Sequence, residues 1–315
     1  MTHTTEGSEG TEGTGGGRDV DVVIATRHRP EMVREAIAAV GAQEYDGTVR
    51  CLVVHDGTEP DTDLVSTDRQ RPVQVLANVG TPGLAGARNT GVWAGSAPYV
   101  AFCDDDDLWR RDKVALQVAL LEEEGVDTVV TGVRIHYGDG AVDRIPRPEE
   151  LRAEVLARRR VVAAHPSTVL VRRAALEGDI GPFDEAIPGS YGEDYDWILR
   201  AVAMGPVAVV EAALVDVRWG SSQFSRQWRT IVDALDYLMA KHPVFEADPR
   251  AIGRLHGHQA FALAALHRGG SVPAIARTLR DAPTEPRAYL AAAVAMRLVS
   301  ADRVLDLVNR RGRGI

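Results

Sequence analysis

The sequence predicts an α/β fold, a mostly parallel sheet with helices on both faces, followed by an all-helical C-terminal extension. Three observations lead there. Strand-like and helix-like stretches alternate from Val20 to Tyr137. The strand-like stretches are continuous Val/Ile/Leu runs, as expected of strands buried on both faces. From about Gln223 onward only helical patterns remain.

Each element follows from its local pattern. Val20 to Ala25 reads as a first buried strand, and Arg29-Pro30 opens a helix whose Met32, Val33, Ala36, Ile37 and Val40 share a face. Val49 to Val54 is a second strand ending at His55-Asp56-Gly57, and Val73 to Leu76 a short third. Gly83 to Ala94 is helical, with Arg88 and Asn89 in its C-terminal part. Tyr99 to Cys103 is a fourth strand, Lys113 to Glu124 a helix and Thr128 to Tyr137 another strand. Beyond Gly138 the pattern loosens. Arg147 to Val161 looks helical, Pro166 to Val171 strand-like, Gly192 to Met204 helical, and Val207 to Val217 one or two strands. The C-terminal helices are expected at about 223–241, 249–268, 272–281 and 285–309, separated by Gly269-Gly270 and Pro283.

Composition narrows the function. The net charge is −9, which argues against a nucleic-acid partner. The two cysteines, Cys51 and Cys103, sit in apolar runs, so no disulfide framework is expected and a reducing, cytoplasmic setting fits. Residues 1–18 carry almost nothing apolar and read as a disordered tail without the core of a signal peptide. No apolar run reaches the roughly 18–20 residues of a membrane span, so a soluble chain is expected.

Ligands in such sheets bind beyond the carboxyl ends of the strands. Three strand ends carry polar residues, Thr26-Arg27-His28, His55-Asp56 and Asp104 to Asp107, and should converge on one crevice. The last group is the most informative. Four aspartates follow the buried strand "YVAFC". A helix-capping turn explains one or two of them. Four like charges together disfavour one another's ionised form unless a cation compensates. Carboxylate oxygens without a nearby Cys or His favour Mg²⁺ or Mn²⁺.

"YVAFCDDDDLW" resembles the strand and DxD motif of the family 2 glycosyltransferases, which have the GT-A fold. Upstream, "VVIATRHRPEMVREAIAAVGAQ", "CLVVHDGT" and "NVGTPGLAGARNTGVWAGSAPYV" are similar to the family's opening strand and helix, its second strand end and the segment before the DxD. Downstream, "GPFDEAIPGSYGEDYDWILRAVAMG" resembles the acceptor-side loop and Glu-Asp motif. The resemblance covers about residues 20–220. It implies a catalytic domain over 19–222, with a nucleotide-sugar half (19–137) and an acceptor half (138–222), ahead of a helical region over 223–315.

What the resemblance implies chemically is an inverting, metal-dependent transfer of a sugar from a nucleotide-diphosphate-sugar to an acceptor hydroxyl. Asp56 would accept from the base. Thr26 and Arg27 lie at the same crevice. Asp104 and Asp106 would hold the metal, with Asp104 also near the ribose. Of Asp105 and Asp107, one would cap the following helix and the other touch donor hydroxyls. Arg88 would link the sheet edge to the nucleotide or the DxD loop, unless it is an ordinary surface residue. Asp194, with Glu193 beside it, matches the base position, although helix capping would equally place acids there. Asp196 is the fallback. His165-Pro166-Ser167-Thr168 falls near the acceptor side, where a lone His without metal-ligand spacing is more often structural than functional. Arg218 is a candidate diphosphate contact. Trp197 and Trp219 could stack on sugars but fit a core equally well.

Two departures concern the base. The family's usual Thr-Tyr-Asn-Arg is here Thr26-Arg27-His28-Arg29, and its Asp-Asp-Gly is His55-Asp56-Gly57. The Gln-x-x-Arg-Trp motif of processive synthases is absent, which favours single-sugar addition. Among rivals, a haloacid-dehalogenase-type phosphatase wants Thr or Val where Leu108 stands. A nucleotidylyltransferase wants a glycine-rich loop after the first strand. A catalytically inactive binding or scaffold protein would have no need of the two acidic sets. The acceptor is expected to be a glycan, a lipid-linked glycan or a small molecule. The C-terminal helices are candidates for homodimer formation, or for peripheral contact with an anionic membrane through Arg287, Arg297, Arg303, Arg310, Arg311 and Arg313.

Overall fold

The computed structural model describes residues 18–137, 140–159, 161, 165–218, 227–267 and 269–309. Apart from Arg18, the expected tail lies outside the described residues, as do Trp219 to Ser222 and Arg310, Arg311 and Arg313. In chain order the first half comprises β1 (Val20–Thr26), α1 (Pro30–Gly41), β2 (Val49–His55), β3 (Val73–Ala77), α2 (Leu84–Ala94), β4 (Tyr99–Asp104), β5 (Asp107–Trp109), α3 (Lys113–Glu124) and β6 (Thr128–Tyr137). Then come β7 (Gly140–Arg144), α4 (Ala153–Arg158), β8 (Leu170–Arg172), α5 (Arg173–Glu177), α6 (Glu193–Met204) and β9 (Val207–Arg218). The C-terminal helices are α7 (Trp228–Lys241), α8 (Pro249–Ala265), α9 (Ser271–Asp281), α10 (Pro286–Ala295) and α11 (Ala301–Asn309).

The sheet runs β3-β2-β1-β4-β8-β6-β9-β5, with β7 on β6. Its first four strands are parallel, so the ends of β1, β2 and β4 open on one side. Beyond β4 the sheet becomes mixed: β8 is antiparallel to β4 and β6, β9 is parallel to β6, and β5 is antiparallel to β9. Alternate residues of β1 feed two cores. Val22 and Ile24 pack with Val33, Val40 and Val118 of α1 and α3, while Val23 packs with α2 and α6. Cys51 and Cys103 are free buried thiols, and burial raises the Cys51 pKa to about 12.

Ile231 and Leu235 of α7 and Leu255 of α8 join the core that contains Val23 and Phe102. The C-terminal helices therefore share apolar packing with the α2/α6 face of the sheet. No described helix is long and apolar enough to cross a membrane.

The contact between α2 and β1 is close. A Cβ on Gly91 would lie 2.4 Å from Cγ1 of Val23. Gly91→Ala is therefore expected to destabilise the fold by about 1–3 kcal/mol, the usual cost of overpacking, read from denaturant midpoints.

Some expected elements are shorter or broken. Arg147 to Val161 holds a 3-10 turn at Pro148–Glu150 and only the six-residue α4. Pro166–Thr168 is also a 3-10 turn, because Pro166 cannot donate to a ladder, and the strand is confined to β8. The last long helix divides into α10 and α11, and Arg297 between them takes a left-handed φ of 59°. The unexpected β5 owes its existence to β9, with Asp107 opposite Val217 and Trp109 opposite Val215.

Candidate active site

The parallel half of the sheet brings Thr26, Asp56 and Asp104 to one crevice. Asp56 is buried and held by two hydrogen-bond donors and one ion pair. Asn78 Nδ2 lies 2.8 Å and the Gly83 N–H 3.1 Å from its Oδ1, and Arg27 Nη1 lies 3.7 Å from its Oδ2. Gly83 sits at φ 127°, a conformation glycine tolerates, which lets its N–H reach the carboxylate at the start of α2. The Arg27 side chain remains 56% exposed over this carboxylate, free to meet a flat ligand edge. Thr26 has a different partner: its hydroxyl donates to Asp105 at 2.7 Å.

The four aspartates have four environments. Asp104 accepts from Arg88 Nη2 at 2.7 Å, and its other oxygen lies 3.4 Å from His165 Nε2. Burial works against its ionised form, but Arg88, His165 and Arg29 outweigh burial and keep its pKa below the ordinary value. Asp105 is turned inward, toward Thr26 and Arg29, and burial raises its pKa. Asp106 is the most exposed of the four and pairs with Arg29 at 2.8 Å. Asp107 is buried, accepts from the Ser167 hydroxyl at 2.6 Å and lies 3.4 Å from His165 Nδ1; burial pushes its pKa up to about 7.

The helix-capping expectation for Asp105 or Asp107 fails. The residue ahead of α3 is Asp112, and α3 has no side-chain cap. The chain after Asp106 enters β5 before α3 begins, so the carboxylates of Asp105 and Asp107 face inward.

Arg88 is not a surface residue. It lies fully buried near the start of α2, in its N-terminal half rather than the C-terminal part, and bridges two acids. One arm bonds Asp104 and the other Glu193 at the start of α6, while its guanidinium lies 5.2 Å from the Phe183 ring centre. Burial raises the Glu193 pKa to about 7 despite Arg88. Asp194 follows in the first turn of α6, accepts from the Tyr195 N–H at 2.8 Å, and lines a small cavity with Phe102, Pro166 and Phe183. Neither Glu193 nor Asp194 caps the helix by a side-chain bond; Gly192 stands at that position.

Asp196 does not face this crevice. It is buried against His242 at 2.8 Å, Lys241 at 2.7 Å and Arg200 at 3.0 Å. Burial alone would raise its pKa, but the hydrogen bond with His242 and the charges of Arg200 and Lys241 bring it down to about 2. It ties α6 to α7 and is a structural anchor. Trp197 lies in an aromatic core with Phe102 and Phe183, ring centres 6.4 Å and 5.9 Å away. Arg218 rises beside the aspartate loop on β9, but its guanidinium pairs with Glu35 of α1.

Sequence reasoning missed His165 and Ser167 as members of the site. Ligand atoms of Asp104, Asp107 and His165 lie within 4.8 Å of one another, two oxygens and one imidazole nitrogen. Two of these groups are carboxylates, and close packing of buried acids is the situation a divalent cation relieves. The two carboxylate oxygens suit Mn²⁺ and Mg²⁺, while the imidazole nitrogen, absent from the expected set, tilts it from Mg²⁺ toward transition metals, Mn²⁺ among them. Asp106 lies outside this group. Ser167 holds the cluster together, bonding Asp107 with its hydroxyl proton and accepting from the Asp104 N–H at 2.9 Å. The one signal in the sequence was His165-Pro166, where the proline starts a short turn that carries Ser167 inward.

Comparison with known proteins bears on the family and the fold. Residues 21–178 match the family model described as Glycosyl transferase family 2. The chain is 22% identical over 233 residues to the Escherichia coli UDP-Glc:alpha-D-GlcNAc-diphosphoundecaprenol beta-1,3-glucosyltransferase WfgD, covering 70% of this chain and 88% of that one. Among solved structures, S. aureus TarS 1-349 in complex with UDP superposes with a TM-score of 0.57 at 16% identity, over 94% of this chain and 92% of that one. The mannosyltransferase PcManGT from Pyrobaculum calidifontis, in complex with GDP-Man and Mn2+, gives 0.55 at 19% identity, over 92% and 83%. A sheet of this order, helices on both faces and a family match across half the chain have one reading: the protein belongs to glycosyl transferase family 2, and it is a glycosyltransferase of the GT-A fold.

Proposed function

We propose that this glycosyltransferase moves a single sugar, with inversion, from a nucleoside-diphosphate sugar to an acceptor hydroxyl of a glycan, lipid-linked as in the E. coli relative. The observation that carries the proposal is the Arg88 bridge, which ties Asp104 of the aspartate loop to the first turn of α6. A single displacement needs the leaving diphosphate and the base on opposite sides of the sugar, held at a fixed separation. Asp104 sits on the donor side and Asp194 on the acceptor side of that bridge.

In this reading Asp56 accepts from the nucleobase, and the exposed Arg27 lies against the base in place of the family's tyrosine. Asp194 takes the proton of the attacking hydroxyl as the new glycosidic bond forms. Asp104 holds a divalent cation with Asp107 and His165. Bound there, Mn²⁺ or Mg²⁺ supplies Lewis-acid neutralisation of the departing diphosphate. Arg29 keeps Asp105 and Asp106 compensated beside it.

The test is donor turnover before and after chelation. EDTA is expected to reduce transfer by about a hundredfold or more, with Mn²⁺ restoring it. Asp107→Asn and His165→Ala should weaken Mn²⁺ activation more than Asp106→Asn does. The opposite order would return the metal to Asp104 and Asp106. Activity indifferent to EDTA would overturn metal dependence.

A further inference from the structure

Among the described tryptophans, Trp93 alone has a largely exposed side chain, 55% of it open to solvent. It stands in the last turn of α2 and lines a groove of about 480 Å³, with Asn89, Asp184, Glu185, Arg200 and Lys241 among the other walls. That volume lies within the roughly 300–1,000 Å³ of small-ligand sites. Nothing in the donor or base chemistry uses these residues.

The polar walls are held rigidly. Asn89 donates to Glu185 at 2.7 Å and to the Phe183 carbonyl at 2.9 Å, and Glu185 also accepts from the Thr81 N–H at 2.7 Å. Lys241 and the Tyr237 hydroxyl both donate to Asp184, at 2.5 and 2.8 Å. Arg200 is anchored on the Pro182 carbonyl at 2.7 Å and on Asp196. Burial would raise the pKa of both Asp184 and Glu185, yet their hydrogen bonds keep them below ordinary values. Both are therefore ionised acceptors at neutral pH. A carboxylate offers about four lone-pair sites, so each retains capacity for a ligand hydroxyl.

The charge of the groove is balanced, two acids against Arg200 and Lys241. Neither an anion nor a cation gains from entering it. The chemistry that fits is a neutral, polyhydroxylated ring whose C–H face lies on the indole and whose hydroxyls donate to fixed carboxylates. We infer that this groove is a saccharide subsite, binding a non-reacting sugar of the acceptor glycan. The inference rests on the glycosyltransferase reading and deepens it. Phe183 is the wall shared by the groove and the small cavity that Asp194 lines, and Trp93 stands at the far end of α2 from the crevice, so a glycan unit held there is remote from the reacting end. Binding energy from such a remote unit is what orients an acceptor hydroxyl for attack.

The test is calorimetric titration of the full chain, without nucleotide, with neutral tetrasaccharides of glucose, N-acetylglucosamine and mannose. At least one is expected to bind, Trp93→Ala to weaken it by about tenfold or more, and Trp93→Phe to fall between. Because the side chain is largely exposed, Trp93→Ala should keep its melting temperature and its donor hydrolysis in water. Failure of every tetrasaccharide to bind, or equal binding by Trp93→Ala, overturns the subsite, including the case in which the groove docks a protein. Absence of donor turnover in the parent enzyme would instead overturn the proposed reaction, so the two failures are distinct.

Discussion

Asp194→Asn is expected to lower kcat for transfer by about 10² to 10⁴, the usual contribution of a positioned general base, with donor KM nearly unchanged. Asparagine keeps the shape and can still accept from the Tyr195 N–H, so the melting temperature should hold. The control is Asp196→Asn, which faces away from the crevice. Its loss of ion pairs with Lys241 and Arg200 should appear as lowered stability first and lowered turnover only in proportion to unfolding. If Asp194→Asn retained more than about a tenth of transfer, the base would have to be sought elsewhere. Glu193 is the poorer candidate, because its carboxylate is committed to Arg88 deep in the protein.

Arg88→Met is expected to have the largest effect on stability, a loss of about 3–5 kcal/mol, because it strands two acids beside an apolar wall. With the guanidinium present, Asp104 is held ionised below its ordinary pKa. Without it, both Asp104 and Glu193 should bind protons in the folded state more tightly than in the unfolded chain. Such groups favour folding in acid and lose that contribution as pH rises above about 4 toward their folded values. The Asp104 share of the Arg88→Met deficit should therefore grow above about pH 4, while Glu193, already raised to about 7 in the parent, adds to it only above that pH; denaturant midpoints from about pH 4 to 8 follow both. Arg88→Lys, with a single ammonium, should restore one contact and only part of the stability. A deficit independent of pH would mean that packing on Phe183, and not charge, is what Arg88 provides.

The parallel half of the fold was legible because short, β-branched apolar runs such as Val20 to Ala25, alternating with helical patterns, read as buried strands, and their polar ends must then emerge together. The aspartates were legible as an unusual concentration of charge for the same reason, since they stand against the mouth of a core. Less was legible where a short segment depends on a distant partner. Leu108 and Trp109 have no strand signal of their own and become β5 only opposite β9. Pro166 to Thr168 looked like strand until the buried Ser167 hydroxyl found Asp107.

Sequence alone determined the fold class, the family resemblance and the crevice at the strand ends, since these follow from periodicity and from motif order along the chain. The tertiary structure decided the partnership of each carboxylate. Whether an aspartate is ionised, paired or placed to bind a cation depends on which cations and hydroxyls the fold brings within about 3 Å, because electrostatic interactions among buried groups act over such distances with little screening. Arg88, His165 and Ser167 lie 16 to 63 residues from the aspartates they contact, and no local pattern encodes that approach. The same holds for Trp93, an ordinary helical residue in the sequence and an exposed aromatic wall in the folded protein.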